Sequence, residues 1–225
     1  FIITMINIFV ISTDDERGRL RRQSINFPHT IWTASTTPID LIKNRWRNRS
    51  NEDTTADKYN AKLSCFTSHY LLLNHIVKNK IDNVVVCEDD VQATNIPLYP
   101  SQDITILNGR FQHPTSYAKN KNLDKNAIIS ELKLNTLTNL DYTKYRVSGA
   151  HAIHYPKWTQ VQNIINLINN DKCLLTHYDL WLNNKKLIKY IQYPSPYLHD
   201  DRKFGSSINK NNLCSGLIIN YRDIL

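Results

Sequence analysis

The chain has 225 residues, of which 28 are Lys or Arg and 20 are Asp or Glu, giving a formal net charge of +8. This excess of positive charge favours anionic partners, such as nucleic acid, a nucleotide-bearing substrate or a membrane surface. The 5 glycines exclude a collagen-like or Gly-linker chain, and no apolar run approaches the roughly 18 residues of a membrane span. The composition predicts a soluble globular protein.

The amino-terminal sequence and the cysteine usage predict a protein of a reducing compartment. The amino-terminal segment is apolar to residue 12 and then turns acidic, without the basic start or cleavage site of a signal peptide. The four cysteines, Cys65, Cys87, Cys173 and Cys214, show no metal-type spacing. We interpret them as buried thiols, which is typical of a cytoplasmic protein.

Strand and helix patterns alternate along the chain. Apolar, β-branched runs predict strands over residues 6–11, 30–33, 84–87, 104–107, 146–155 and 188–193. Helices are predicted from a capping box at Thr13 and Glu16, over residues 61–78, from Trp158, and over residues 179–187. Residues 38–58 are expected to form a loop, Asn108-Gly109 a turn, and residues 111–144 show only weak periodicity. The alternation predicts one α/β domain over residues 1–225 around a mostly parallel central sheet.

Three consecutive carboxylates, Glu88, Asp89 and Asp90, follow the buried strand that ends at Cys87. Adjacent carboxylates raise one another's pKa unless a cation is near, and ligands of open α/β sheets bind at the carboxyl ends of strands. Oxygen ligands suit Mg²⁺ or Mn²⁺, which also bind phosphate oxygens. The triplet therefore indicates a cation site or, alternatively, a solvated turn with a helix N-cap.

Three further positions each allow two interpretations. His69 lies beside the apolar face of the helix over residues 61–78, as a functional residue or as a hydrogen-bonded core histidine. Asp179 stands among aromatic and apolar residues, as a general base or as a helix N-cap. His199, followed by Asp200 and Asp201, is either a distant metal ligand or part of a polar loop.

Taken in order, these motifs resemble glycosyltransferase family 25, which holds bacterial lipooligosaccharide galactosyltransferases and collagen hydroxylysine galactosyltransferases. The matching parts are the opening strand with its Arg-rich helix, Ser64-Cys65-x-x-Ser68-His69, Glu88-Asp89-Asp90-Val91, Ser148-Gly149-Ala150-x-Ala152-Ile153, the surroundings of Asp179, and Ser206-Ser207-Ile208. Ser64 stands where the family usually has Gly, and residues 101–144 match nothing in the pattern.

The resemblance implies a GT-A fold, a nucleotide-diphosphate sugar donor, Mn²⁺ dependence and inversion at the anomeric carbon. UDP-galactose is expected ahead of UDP-glucose. The acceptor is a lipooligosaccharide sugar, a hydroxylysine of a collagen-like protein, or a glycan on a viral or microbial surface. Asp90 with Glu88 or Asp89 is expected to hold Mn²⁺ or Mg²⁺, with His199 as a further ligand, and Asp179 is the expected general base.

The donor is expected to contact residues from five segments. The end of the first strand contacts the base and ribose, an arginine of the first helix reaches the phosphates, and Gly149 lets the sugar approach the backbone closely. A solvated basic helix is the alternative for the arginines. The expected donor contacts are Ile11, Ser12, Thr13, Arg17, Arg21, Ser68, His69, Glu88, Asp89 and Gly149.

Two rival classes remain open at this point. The net charge of +8 and the arginines of residues 17–22 are compatible with a nucleic-acid-binding module, but the chain has no RNA- or DNA-binding motif of the usual kinds. A non-catalytic sugar-binding relative is the other rival. We expect no nucleic-acid partner, and joint stabilisation by nucleotide and Mn²⁺ would distinguish the transferase from a salt-sensitive oligonucleotide binder.

Overall fold

The computed structural model describes residues 5–46, 56–113, 123–132, 136–174 and 177–199. The strands in these residues are β1 Asn7–Ser12, β2 Thr30–Thr33, β3 Val84–Glu88, β4 Val91–Ala93, β5 Thr105–Gln112, β6 Thr136–Asn139, β7 Arg146–Tyr155, β8 Tyr190–Tyr193 and β9 Tyr197–His199. The helices are α1 Glu16–Arg22, α2 Asp40–Arg45, α3 Ala56–Lys78, α4 Lys125–Glu131, α5 Trp158–Asn170 and α6 Tyr178–Asn184.

Seven strands form the central sheet, in the order β2-β1-β3-β7-β5-β8-β6. Strands β2, β1, β3, β5 and β8 run in one direction, whereas β7 and β6 run in the other. Strands β4 and β9 form a separate two-stranded sheet. The expected α/β architecture with a mostly parallel central sheet is therefore confirmed, and β3 lies near its middle.

The central strands are buried on both faces, which explains their nearly continuous apolar sequence. On one face Val84 and Val86 of β3 join the large core that the helices cover. On the other face Val85 and Cys87 join a smaller cluster with Tyr197 of β9. Since side chains alternate along a strand, Glu88, the last residue of β3, leaves the backbone on the opposite side from Cys87.

Helix α3 carries a stripe of buried apolar residues at spacings of three and four. Leu63, Phe66, Leu73 and Ile76 are fully buried, and His69 lies within the same stripe. The helix begins at Ala56, five residues before the predicted start, and Tyr59 extends the stripe by packing against the core four residues before Leu63. The packing of this stripe brings His69 toward the sheet.

The expected loop over residues 38–58 was wrong in part. Helix α2 occupies Asp40–Arg45, and α3 begins at Ala56. Helix α2 has six residues and buries Ile42 alone, so no apolar periodicity could be read from it. Residues 47–55 lie outside the described part of the chain.

The expected turn at Asn108-Gly109 was also wrong, because β5 continues through it to Gln112. The pairing with β7 shifts register on both sides of Asn108. A glycine within a strand often marks such a bulge or a close backbone approach. A side chain at Gly109 would place its Cβ 2.2 Å from Val147 Cγ1, so the glycine is required by packing rather than by a turn.

Helix α1 follows β1 as predicted, but it begins two residues later because its cap is Asp15 rather than Thr13. The Asp15 carboxylate accepts a hydrogen bond from Gly18 N at 2.7 Å, and Thr13 donates to the same oxygen at 2.8 Å. A Cβ on Gly18 would lie 2.0 Å from the Thr13 carbonyl oxygen. The glycine therefore lets α1 start close against the end of β1.

The asparagine-rich region contains elements that its weak periodicity did not predict. Helix α4 is capped by Asp124, and β6 pairs with β8 at the sheet edge. Residues 114–122, 133–135 and 200–225 lie outside the described chain, and with them Asp200, Asp201, Ser206-Ser207-Ile208 and Cys214. Cys65, Cys87 and Cys173 are free thiols. No helix within the described residues is long and apolar enough to cross a membrane.

Candidate active site

The acidic triplet stands at the carboxyl end of β3, as the sequence indicated. Glu88 is the last residue of the strand, and Asp89-Asp90 forms the tight connection to β4. Ile11 of β1 is the register partner of Glu88, so the end of β1 lies directly beside the triplet. Parallel strands that end together define the usual ligand-binding edge of an open α/β sheet.

Asp89 is held by hydrogen bonds from the protein, and Arg21, one of the donors, also lies 3.7 Å from Asp90 Oδ2. Ser12 Oγ donates to Asp89 Oδ2 at 2.7 Å, and Arg21 Nη1 donates to Asp89 Oδ1 at 2.7 Å. Arg22 in turn donates to Ser12 Oγ at 3.0 Å. Ser12, Arg21 and Asp89, which were expected to contact the donor, thus form a buried network that joins β1, α1 and the triplet.

Glu88 and Asp90 share the opposite side with His151, which β7 supplies. His151 Nδ1 lies 2.9 Å from Glu88 Oε2 and 3.5 Å from Asp90 Oδ1. Burial lowers the pKa of His151, but the two carboxylates outweigh burial and raise it to about 10. Burial opposes ionisation of Glu88, but the imidazolium outweighs it and holds the pKa of Glu88 well below its usual range.

These three side chains have the chemistry of a divalent cation site. One ligand atom from each of Glu88, Asp90 and His151 lies within 4.8 Å of the others. Two carboxylates and an imidazole are suitable ligands for Mn²⁺ and tolerable ones for Mg²⁺. The donor set therefore fits a divalent cation of the kind that the sequence predicted, with His151 as a candidate ligand that the sequence did not reveal.

His151 was missed because it occupies the variable position of Ser148-Gly149-Ala150-x-Ala152-Ile153. Its placement follows from sheet pairing. Strands β3 and β7 are antiparallel, and Cys87 is the partner of Ala152, so the next pair in register is Glu88 with His151. No local pattern could give this contact, because it depends on which strands are neighbours.

His69 also reaches the triplet, from α3. Its Nε2 lies 3.7 Å from Glu88 Oε1, and its ring stacks on Tyr178 with a centroid separation of 4.4 Å. Ser68 has a structural role in this fold. Its hydroxyl donates to the Ser64 carbonyl at 2.7 Å and accepts from Ser35 N at 2.9 Å, which ties α3 to the chain after β2.

Cys65 lies one turn before His69, and its Sγ donates to Glu88 Oε1 at 3.8 Å. Burial, followed by the negative charges of Glu88 and Asp179, raises the pKa of Cys65 well above its usual value. A thiolate nucleophile needs a lowered pKa, so this cysteine is not a reactive thiol in the environment shown.

Arg17 lies at the edge of the site and is half-buried. Burial and the nearby Arg21 lower its pKa, against the opposing effect of Asp89, Asp15 and Asp90. Arg17 is therefore close enough to the triplet for the charges of Asp89 and Asp90 to act on it.

Asp179 is not the N-cap of α6. The cap is His177, and Asp179 lies in the first helical turn with its Oδ2 accepting from Gly149 N at 2.6 Å. Gly149 has φ +101°, which side-chain-bearing residues rarely adopt, and a Cβ there would lie 2.9 Å from His151 Cδ2. The contact fixes the half-buried carboxylate beside the strand that carries His151.

The His199 backbone lies opposite Val91 in the β4–β9 pair, one residue after Asp90. The pairing with Val91 places the His199 backbone beside the residue that follows the triplet. The side chain of His199 lies outside the described part of the structure, so its predicted role as a metal ligand stays a prediction.

The fold and the site define an α/β protein with a candidate cation centre at the carboxyl ends of its parallel strands. The profile of glycosyltransferase family 25, described as an LPS biosynthesis protein family, matches residues 5–139. The chain therefore belongs to glycosyltransferase family 25, as its motifs predicted. The match includes Cys65, His69 and the triplet, whereas His151 and Asp179 follow it in the chain.

No curated protein is significantly similar in sequence to the chain. Among solved structures, the CTP:phosphocholine cytidylyltransferase from Streptococcus pneumoniae is similar at 10% sequence identity and a TM-score of 0.39. That similarity covers 88% of this chain and 94% of the cytidylyltransferase chain.

Proposed function

We propose that the protein is an inverting glycosyltransferase that transfers a hexose from a UDP-sugar, with galactose favoured over glucose. Membership of family 25 supports glycosyl transfer. The observation that carries the proposal further is the cluster of Glu88, Asp90 and His151 at the carboxyl end of β3. Such a cluster suits a divalent cation and the diphosphate of a nucleotide sugar.

Glu88, Asp90 and His151 would hold Mn²⁺ or Mg²⁺ in this reaction. When bound, the cation neutralises the charge that develops on the departing nucleoside diphosphate. The Asp89–Arg21 pair keeps the triplet in position, and Arg17 adds a positive charge at its edge. His151 must lose its proton to act as a ligand, because only the neutral imidazole coordinates a metal.

Asp179 is the proposed general base. An inverting transfer needs a carboxylate that takes the proton of the acceptor hydroxyl as that oxygen attacks the anomeric carbon. The half-buried carboxylate keeps one oxygen on the Gly149 amide, which fixes its orientation. The proposed acceptors are a glycan hydroxyl or the hydroxylysine of a collagen-like protein.

A donor-hydrolysis assay tests this function without knowledge of the acceptor. The purified protein is incubated with UDP-galactose, UDP-glucose or UDP-N-acetylglucosamine, and released UDP is measured with Mn²⁺, Mg²⁺ or excess chelator. We expect release with Mn²⁺ that is fastest for UDP-galactose and is lost with chelator. Release that is unchanged in chelator, or absent for every donor, would contradict the proposal.

A further inference from the structure

A second group of metal-ligating side chains lies on the other oxygen of Glu88. The group consists of Cys65, His69 and Glu88, with one ligand atom from each within 4.8 Å of the others. Glu88 directs Oε1 toward Cys65 and His69, and Oε2 toward His151. Two separate ligand clusters therefore meet at one carboxylate.

Helix α3 presents Cys65 and His69 on the same side, since residues four apart are neighbours on a helix surface. Cys65 Sγ lies 3.8 Å from Glu88 Oε1, and His69 Nε2 lies 3.7 Å from the same oxygen. Ligands of tetrahedral Zn²⁺ lie about 2.0–2.3 Å from the ion, which separates them from one another by roughly 3.3–3.8 Å. The observed separations correspond to the edges of such a tetrahedron.

His69 itself points to a missing ligand. The residue is 1% exposed, and among the described residues neither of its ring nitrogens has a partner at normal hydrogen-bond distance, since the Glu88 Oε1 atom lies 3.7 Å from Nε2. A buried polar nitrogen without a partner is costly, so native structures seldom leave one unexplained. The ring is held by stacking on Tyr178, which directs Nε2 toward Glu88. A cation between the two residues would satisfy this nitrogen.

We propose that Cys65, His69 and Glu88 form a Zn²⁺ site, distinct from the donor cation site at Glu88, Asp90 and His151. A thiolate with an imidazole selects Zn²⁺ over the oxygen-seeking Mg²⁺ and Mn²⁺. Binding forms three bonds from the protein to the ion and breaks the S–H bond of Cys65, whose proton passes to solvent. The ion cross-links α3 to β3 and holds Glu88 Oε2 on the side of His151.

Cobalt substitution tests the site independently of catalysis. Protein stripped of metal by chelator is titrated with Co²⁺, and the near-ultraviolet band of thiolate-to-cobalt charge transfer is followed. We expect the band in the wild type and its loss in Cys65→Ser. Cys173→Ser is the matched control and keeps the band, because Cys173 is half-buried elsewhere in the fold. Asp90→Asn also keeps it, because Asp90 belongs only to the other cluster.

Zinc itself provides the second measurement. Elemental analysis should give one equivalent of Zn²⁺ more for the wild type than for Cys65→Ser, and Zn²⁺ should raise Tm in the wild type but not in that variant. Circular dichroism verifies folding, and His69→Gln replaces Cys65→Ser if the serine variant does not fold. A wild type without the charge-transfer band, or a band that persists in Cys65→Ser, would overturn the proposal.

Discussion

The two sides of the acidic triplet differ in how completely the protein satisfies them. On one side Asp89 is bound by Ser12 and Arg21 at 2.7 Å each, and it is buried with them. On the other side Glu88 and Asp90 converge with His151 in a cluster whose donors suit a cation. The triplet thus contains one carboxylate that the protein itself binds and two that belong to a candidate cation site, and Arg21 lies near both Asp89 and Asp90.

The largest expected effect tests the ligand-facing side. Asp90→Ala removes one of the proposed cation ligands, so Mn²⁺-dependent UDP release should fall to background while the far-ultraviolet circular dichroism spectrum is unchanged. Mn²⁺ binding by isothermal titration calorimetry checks the cause. Undiminished turnover in this variant would assign Asp90 a structural role like that of Asp89.

The next effect concerns the carboxylate beside Gly149. Asp179→Asn keeps an oxygen that can accept the Gly149 amide but cannot remove a proton at neutral pH. Loss of a general base typically slows a reaction ~10²–10⁴-fold, so kcat should fall by about that factor with the donor KM little changed. Steady-state kinetics with a glycan acceptor measure both. A variant with normal kcat and weak donor binding would make Asp179 a donor ligand instead.

A substitution of Asp89, which the protein itself binds, should lower the stability of the fold. Asp89→Asn removes the nearer of the two carboxylates beside buried Arg21, and Asp90 Oδ2 remains 3.7 Å from Arg21 Nη1. The cost should therefore lie below the about 3–5 kcal/mol of a completely broken buried ion pair. We expect a lower denaturation midpoint in urea, with the residual folded protein still binding Mn²⁺. Asp14→Asn is the control, because its carboxylate is exposed and lies 3.8 Å from Arg22. Equal stability of the two variants would show that Asp89 does not stabilise the fold more than an exposed carboxylate does.

The smallest effect concerns the two arginines that were expected to meet the phosphates. Arg21 is held by Asp89, so Arg17 gives the sharper test of donor binding. Arg17→Glu should raise the donor KM several-fold, since it places a negative charge beside the diphosphate position. Arg19→Glu, on the exposed part of α1, is the control. Equal KM values for both variants would show that the arginines of α1 do not contribute to donor binding.

The elements with continuous apolar patterns were predicted closely. Strand β7 has the predicted bounds, β3 extends one residue further than predicted, and β1 is shifted by one residue at both ends. The incorrect predictions lie where the tertiary structure overrides the preference of the local sequence. Asn108-Gly109 has the composition of a turn, yet pairing with β7 keeps it in a bulged strand. Helix α2 buries one residue and therefore left no periodic pattern.

The candidate site was predicted in part. Glu88 and Asp90 were identified because acidic residues directly after a buried strand are visible in the chain itself. Asp89 was predicted to contact the donor or the cation as well, whereas in the structure its side chain accepts hydrogen bonds from Ser12 and Arg21. The direction of each carboxylate depends on the residues that pack against it from other elements. A local sequence pattern does not identify those residues.

By itself, the sequence determined the order of the strands and helices with clear apolar patterns, the family and the position of the acidic triplet at a strand end. These properties depend on local propensity, on hydrophobic period and on residues that are neighbours in the chain. Only the tertiary structure decided that His151 from β7, together with Cys65 and His69 from α3, surrounds Glu88. These contacts follow from strand order and helix packing, because the residues that make them are distant in sequence.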